Sequence, residues 1–198
     1  GSLVFQGLVK VAEDSDSRFT LFEQRTSEGW QEGRWLPANA ASQATTPDQW
    51  RDNAKRWGDD YSWKIPAGTY MVTFDMPNQR MLCQTAEEVT VGEADYATWV
   101  APFNVDVFPE GVEVYGAENK ETYVGLNVMT AIPANEAVVL KNQGTYVFYK
   151  TQNEVTSEVT NDLVWQADAK DVTGNEYVLA KKDGQTSSTA FTDGARNV

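Results

Sequence analysis

The chain has 198 residues, enough for one large domain or two small ones. Hydrophobic residues make up 41% and charged residues 23%, a globular balance that argues against disorder. A net charge of −13 repels phosphate backbones and disfavours nucleic acid as a partner. Histidine is absent and Cys83 is the single cysteine, which removes the commonest general base, nearly every zinc constellation and any internal disulfide.

Leu3 to Val11 reads as a strand, with Gly7 as a close-packing point or bulge. Glu13 to Ser17 is a polar turn, and Arg18 to Gln24 alternates around Phe19, Leu21 and Phe22. These two strands are expected to form a hairpin. From Thr26 the pattern breaks. Glycine turns alternate with large rings at Gly29-Trp30 and Gly33-Arg34-Trp35, and an irregular run follows from Pro37 to Pro47. Thr46 as N-cap and Pro47 at the first helical position predict one short helix, running to about Trp57 and closed by Gly58. After Asp59-Asp60-Tyr61, Trp63-Lys64-Ile65-Pro66 leads into a half-buried strand from Thr69 to Met76, in which Tyr70, Val72 and Phe74 alternate with Thr69, Met71 and Thr73. Pro77-Asn78 is a turn before a strand from Gln79 to Gln84, with Met81 and Cys83 inward.

Thr85 to Gly92 is polar and acidic, and the domain boundary is placed there. Charge supports a division into 1–86 and 87–198. The first part carries 9 basic and 11 acidic side chains, the second 7 and 18, and six of the seven arginines lie in the first. In the second part strands are expected at Tyr96–Val100, Phe103–Phe108, Ala137–Lys141 and Thr145–Lys150. Val112–Ala117 and Glu121–Val128 form a hairpin, and Leu163–Trp165 and Glu176–Ala180 add further strands. Turns at short, even spacing indicate an all-β sandwich or barrel. The tail from Asp183 is Ser/Thr/Gly/Asp-rich and reads as a frayed end or a last strand.

Chemistry concentrates between Trp30 and Trp63, which holds five of the seven tryptophans together with Arg34, Arg51, Lys55 and Arg56. Long irregular loops on strand-rich chains are uncommon and often functional. A sugar ring can lay its apolar C–H face on indole while its hydroxyls meet Arg34, Arg51, Lys55, Asn39, Asn53, Gln49 or Asp52 at the edge. The competing explanation is burial, because small sandwiches need large core anchors. Trp63, at the start of a strand region, reads as core. Trp50 and Trp57 are seven apart and would share one helix face, a spacing that favours packing on a sheet. Trp30 and Trp35, flanked by glycine and charge, fit either role. Catalysis finds little support. The carboxylate pairs Asp59-Asp60 and Glu28/Glu32 have no distinguishing spacing for a glycosidase. Glu13 to Ser17 lacks the glycine and terminal glutamate of a calcium loop. Cys83 has no activating base and reads as a buried, inert thiol.

Two segments resemble known families. Residues 3–82 resemble the starch-binding modules of the Sus-type surface lipoproteins SusE and SusF of Bacteroidetes. The resemblance is carried by Val4-Phe5-Gln6-Gly7-Leu8-Val9-Lys10, Arg18-Phe19-Thr20-Leu21-Phe22-Glu23, Gly29-Trp30 and Arg34-Trp35-Leu36-Pro37. It continues through Asp59-Asp60-Tyr61-Ser62-Trp63-Lys64-Ile65-Pro66-Ala67-Gly68-Thr69-Tyr70 and Val72-Thr73-Phe74-Asp75-Met76. It implies an immunoglobulin-like β-sandwich that binds α-glucan through aromatic platforms and basic or amide donors. The opening strand of that family, with its glycine-rich turn and tryptophan, does not precede Leu3, so ligand contacts from it do not carry over. Residues 95–182 are similar to a C-terminal β-domain of many Bacteroidetes surface proteins. This likeness lies in Tyr96-Ala97-Thr98-Trp99-Val100-Ala101-Pro102, Pro109 to Tyr115, Ile132 to Leu140, Gly144-Thr145-Tyr146 and Glu176 to Leu179, and it implies a fold without a defined function.

The sequence therefore predicts an all-β protein of two β-sandwich domains, 1–86 and 87–198, the first immunoglobulin-like with a long Trp-rich loop and one short helix. The expected activity is non-catalytic binding of starch or a related polysaccharide, with Trp30, Arg34, Trp35, Trp50, Arg51 and Trp57 as ligand-binding residues and no cofactor or metal. The alternative is a structural or adhesion module without sugar binding. The resemblance adds a cell-surface, outer-membrane location through a lipid anchor outside this chain, and other proteins of a glycan-uptake complex as partners.

Overall fold

The computed structural model describes residues 4–13, 18–19, 21–22, 34–37, 42–52, 54–56, 62–120, 122–164, 177–181 and 189–193. The chain is all-β, and it divides into two compact units, Gly1–Glu87 and Glu88–Val198.

The first unit contains β1 (Val4–Val11), β2 (Arg18–Phe19), β3 (Leu21–Phe22), β4 (Arg34–Pro37), β5 (Ser42–Ala44), β6 (Ala54–Arg56), β7 (Ser62–Lys64), β8 (Gly68–Asp75) and most of β9 (Arg80–Val91). The expected hairpin between β1 and the Arg18 segment does not form. β1 pairs instead with β8 along its whole length, from Val4 opposite Asp75 to Val11 opposite Gly68. β2 pairs with β7, which also takes β5 as a parallel neighbour. β3, β4 and β6 make a separate antiparallel sheet. The alternation in β8 turns Tyr70, Val72 and Phe74 onto Met81 and Cys83 of β9 and onto Trp63 and Ile65. Val9, Val11, Phe19 and Met76 close the edges of this core. Trp63 is fully buried at its centre, in keeping with its reading as core. A ring of that size contributes about 2–3 kcal/mol by leaving water.

The helix expected from Thr46 to about Trp57 is absent from its described part. Pro47 and Asp48 form a turn, with Asp48 in the left-handed region at φ 62°. Arg51 bridges Met81 of β9, and Ala54–Arg56 is strand β6. Thr-Pro starts a turn as readily as a helix, and an isolated helix of this length is marginal. Two ladder hydrogen bonds to β9 decide the matter: Arg51 N–H to Met81 O at 2.7 Å and Met81 N–H to Arg51 O at 2.9 Å.

The polar stretch Thr85–Gly92, where the domain boundary is expected, is strand for most of its length. β9 runs through it to Val91, because Glu88 and Thr90 are exposed while Val91 is buried and Val89 packs against the second core. This is the period-2 pattern of a half-buried strand.

The second unit holds the end of β9, β10 (Tyr96–Val100), β11 (Glu113–Asn119), β12 (Val124–Val128), β13 (Ala137–Lys141), β14 (Gly144–Tyr149), β15 (Tyr177–Lys181) and β16 (Thr189–Asp193). β10, β13, β11 and β12 form an antiparallel sheet in that order, and β15 pairs with β16. The inward side chains Trp99, Val114, Val138 and Leu140 of the sheet pack against Tyr146 and Phe148 of β14 and Val91 of β9, giving two layers around one core. Trp99 stacks on Phe148 at 4.6 Å, while Phe103 and Phe108 approach these rings edge-on. The strand expected at Phe103–Phe108 is reduced to a single bridge between Val105 and Ile132. Leu163 and Val164 are not in a strand, and Trp165 lies outside the described residues.

An irregular segment, residues 157–163, closes this unit through Asn161. β11 and β13 pair only as far as Tyr115 opposite Val139. Beyond that point the Asn161 amide bridges them: its Oδ1 accepts from Ala117 N at 3.0 Å, and its Nδ2 donates to Ala137 O and Glu136 Oε1, both at 2.8 Å. Backbone pairing continues alongside, from Asp162 N to Ala117 O at 2.7 Å. Gly116 makes room for this wedge, since a Cβ there would lie 3.0 Å from Asn161 Cβ.

Candidate functional site

The β8–β9 hairpin ends in the turn Met76–Gln79, flanked by the register pair Asp75 and Arg80. Gln79 takes a left-handed φ of 50°, and its N–H donates to Met76 O at 3.1 Å. Asp75 is buried and its carboxylate organises the turn. It accepts from Asn78 Nδ2 at 2.7 Å, from Asn78 N at 3.3 Å and from Arg80 Nε at 3.0 Å. These bonds, the Asn78 side chain foremost, hold the Asp75 carboxyl below its usual range.

Arg80, with Nε fixed on Asp75, lays its guanidinium over the Trp50 ring at 4.0 Å from the centroid. Trp50 reaches this place because its segment lies along β9 rather than in a helix. Asp48 N–H donates to Cys83 O at 2.8 Å. The Asp48 carboxylate then accepts from Thr85 N at 2.7 Å and from Thr85 Oγ1 at 2.9 Å, extending the ladder with a side chain. Arg51 bridges Met81 through its backbone and donates from Nη2 to Thr46 Oγ1 at 2.9 Å. The Arg51 Nε is buried, with no hydrogen-bond partner among the described residues.

Two of the six expected site residues, Trp50 and Arg51, thus stand together beside the Asp75–Arg80 pair, both half-buried. Arg34 and Trp35 lie in β4, where Trp35 pairs with Leu21 and Arg56 and Arg34 with Phe22. Trp30 and Trp57 lie outside the described residues. Sequence reasoning missed Arg80, Asp75 and Asn78. The available signal was an opposite-charge pair five residues apart around Pro77-Asn78, which is how a hairpin end is tied.

Beneath the site Cys83 is fully buried as a free thiol. Burial, with the Asp48 charge adding to it, pushes its pKa up to about 12, so at neutral pH it is a packed thiol and no nucleophile. Among the described residues no three His, Cys, Asp or Glu side chains converge as metal ligands. The arrangement offers one indole with a face already covered by a guanidinium, which is fixed on the same Asp75 carboxylate that holds Asn78. Such a surface can hold a ligand with an apolar face and a polar edge. No family model, curated protein or solved structure matches the chain.

Proposed function

We propose that the chain is a non-catalytic glycan-binding protein of a cell surface, taking starch or a related polysaccharide on aromatic rings and arginine. The observation that carries this reading is the half-buried Trp50 ring braced by Arg80 at 4.0 Å, with Arg51 adjacent in sequence and Asn78 tied to the same carboxylate as Arg80. A sugar excludes water from an indole face, while a planar guanidinium fork reaches vicinal hydroxyls at small entropic cost. The Sus-type resemblance supports the same ligand class and adds α-glucan, an outer-membrane lipid anchor, and partner proteins of a glycan-uptake complex. Trp30, Arg34 and Trp35 are proposed contributors on that resemblance and on the clustering of indole and arginine in the sequence, and Trp57 on that clustering alone.

Affinity electrophoresis on a polysaccharide panel tests the reading, with Trp50→Ala and Arg51→Ala beside wild type and Trp30→Ala and Trp35→Ala as further arms. Wild type is expected to be retarded on an α-glucan, and Trp50→Ala to lose most of that retardation. Absence of retardation on every glycan overturns the proposal. A second reading, a structural or adhesion module, is favoured by the burial of Trp63 and Trp99 and by the guanidinium already covering one face of Trp50. Acrylamide quenching separates the two: indoles that sugar protects support binding, whereas uniformly shielded indoles support the module.

A further inference from the structure

β1 is the outermost strand of its sheet, with β8 on one side and no other described strand on the other. Its first five residues are all exposed, Val4 by 43%, Phe5 by 55% and Leu8 by 38% among them. Phe5 is the telling residue. By alternation it shares a face with Val9 and Val11, which pack on the core, and it stands opposite the buried Phe74. Yet more than half of it meets solvent. Two residues on, a Cβ added at Gly7 would touch nothing within 4 Å. That face is therefore open where the sequence places an aromatic ring. On the opposite face Val4 and Leu8 flank Gln6, whose Nε2 donates to Thr73 Oγ1 at 2.9 Å.

An edge of this length and apolarity is a template for another strand, and natural sheets normally blunt such edges with charge or proline. Val4 to Val9 contains neither. We propose that β1 pairs antiparallel with β1 of a second copy of this chain, about a two-fold axis through Gln6. In that register Val4 faces Leu8 of the other copy, Phe5 faces Gly7, and Gln6 faces Gln6. Each pair shares a face, so all three exposed apolar side chains gain partners at once. The Phe5 ring covers the open space at Gly7, a pairing that stabilises edge glycines. The segment is uncharged in a chain of net charge −13, so two copies meet there without opposing side-chain charges. A ladder of five residues is a small interface, which makes the dimer weak and reversible.

Sedimentation velocity of the whole chain, at loading concentrations up to on the order of 100 μM, reads the equilibrium. Wild type is expected to dimerise reversibly, more tightly as salt screens the charge of the two copies. Phe5→Asp is expected to weaken the dimer by about tenfold or more, having lost the ring and gained a charge at two symmetric places. The register is tested at the axis. Gln6→Glu and Gln6→Lys each place like charges opposite one another and are expected to weaken self-association by about fivefold, while an equimolar mixture of the two variants recovers it. Gln6 is exposed, so both variants keep the fold, which circular dichroism verifies. A monomer at every concentration overturns the proposal, including one kept monomeric because some other segment covers β1. A dimer indifferent to charge at Gln6, or a mixture that fails to recover, overturns it as well.

Discussion

Gly68-Thr69-Tyr70 in the first unit and Gly144-Thr145-Tyr146 in the second open β8 and β14 with the same three residues. In both, the tyrosine hydroxyl turns back on the chain before it. Tyr70 donates to Pro66 O at 3.1 Å and Ala67 O at 3.3 Å, and Tyr146 to Asn142 O at 3.0 Å and Gln143 O at 3.5 Å. In both, a Cβ on the glycine would strike the tyrosine ring or hydroxyl, at 2.8 Å for Gly68 and 2.9 Å for Gly144. This is the tyrosine corner of β-sandwiches, which ties a loop to the strand it feeds. The units differ in where the left-handed residue sits. In the first it is Gly68 itself, at φ 151°. In the second it is Asn142, at φ 79°, whose side chain donates to Gly111 O at 2.8 Å. Glycine is thus needed for two reasons at Gly68 and for one at Gly144. The same local motif accepts different backbones because the tyrosine bond, rather than the turn type, fixes the corner.

The units also differ in how they complete their sheets, and the largest expected effect lies there. Asn161→Ala removes the amide that joins Ala117 to Ala137 and should destabilise the second unit by about 3 kcal/mol, read by guanidinium denaturation. Asn161→Asp should lose most of that stability too, because a carboxylate cannot donate to Ala137 O and would face Glu136. Next in size, Gly68→Ala should cost about 2–3 kcal/mol and Gly144→Ala about 1–2, the gap measuring the strained backbone at Gly68 alone. Equal costs would break the distinction between the two corners. Tyr70→Phe and Tyr146→Phe should each cost about 1 kcal/mol by leaving carbonyls without the donor.

A pH titration sharpens the contrast at the hairpin end of the first unit. The folded Asp75 carboxyl lies below its unfolded value, held there by Asn78 and Arg80. Its stabilisation is therefore fully present above the ordinary carboxylate range and is lost as pH falls through the lowered folded value, below about pH 4. Denaturation midpoints measured at neutral and acid pH should converge between wild type and Asp75→Asn as acid is added. The smallest effect is chemical: Cys83 should stay unreactive to a thiol reagent at pH 8 until the chain unfolds, as its raised pKa and full burial require.

Much of the strand content was legible from local pattern. Tyr96–Val100 and Ala137–Lys141 coincide with β10 and β13, and the Val112–Val128 hairpin forms as β11 and β12, because alternation bounded by turn residues is a short-range signal. Burial of Trp63 and Cys83 was legible for the same reason. Of the candidate site, Trp50 and Arg51 were legible as residue types, while their setting was not. It depends on Asp48 and Arg51 joining β9 some thirty residues later in the chain. The strand through Thr85–Val91 was not legible in so polar a stretch, because one apolar side of an alternating strand is enough to keep it in a sheet.

The sequence by itself determined where strands can exist, which faces are apolar and where the turns must fall, since each follows from neighbours within a few residues. Tertiary structure alone decided which strands meet. β1 took β8 rather than the Arg18 segment, the Pro47 segment took β9 rather than its own helix, and the Asn161 amide took the gap between β11 and β13. Each choice pairs backbone or amide groups that would otherwise be left unsatisfied against a core, and that requirement is set by residues far away in the chain.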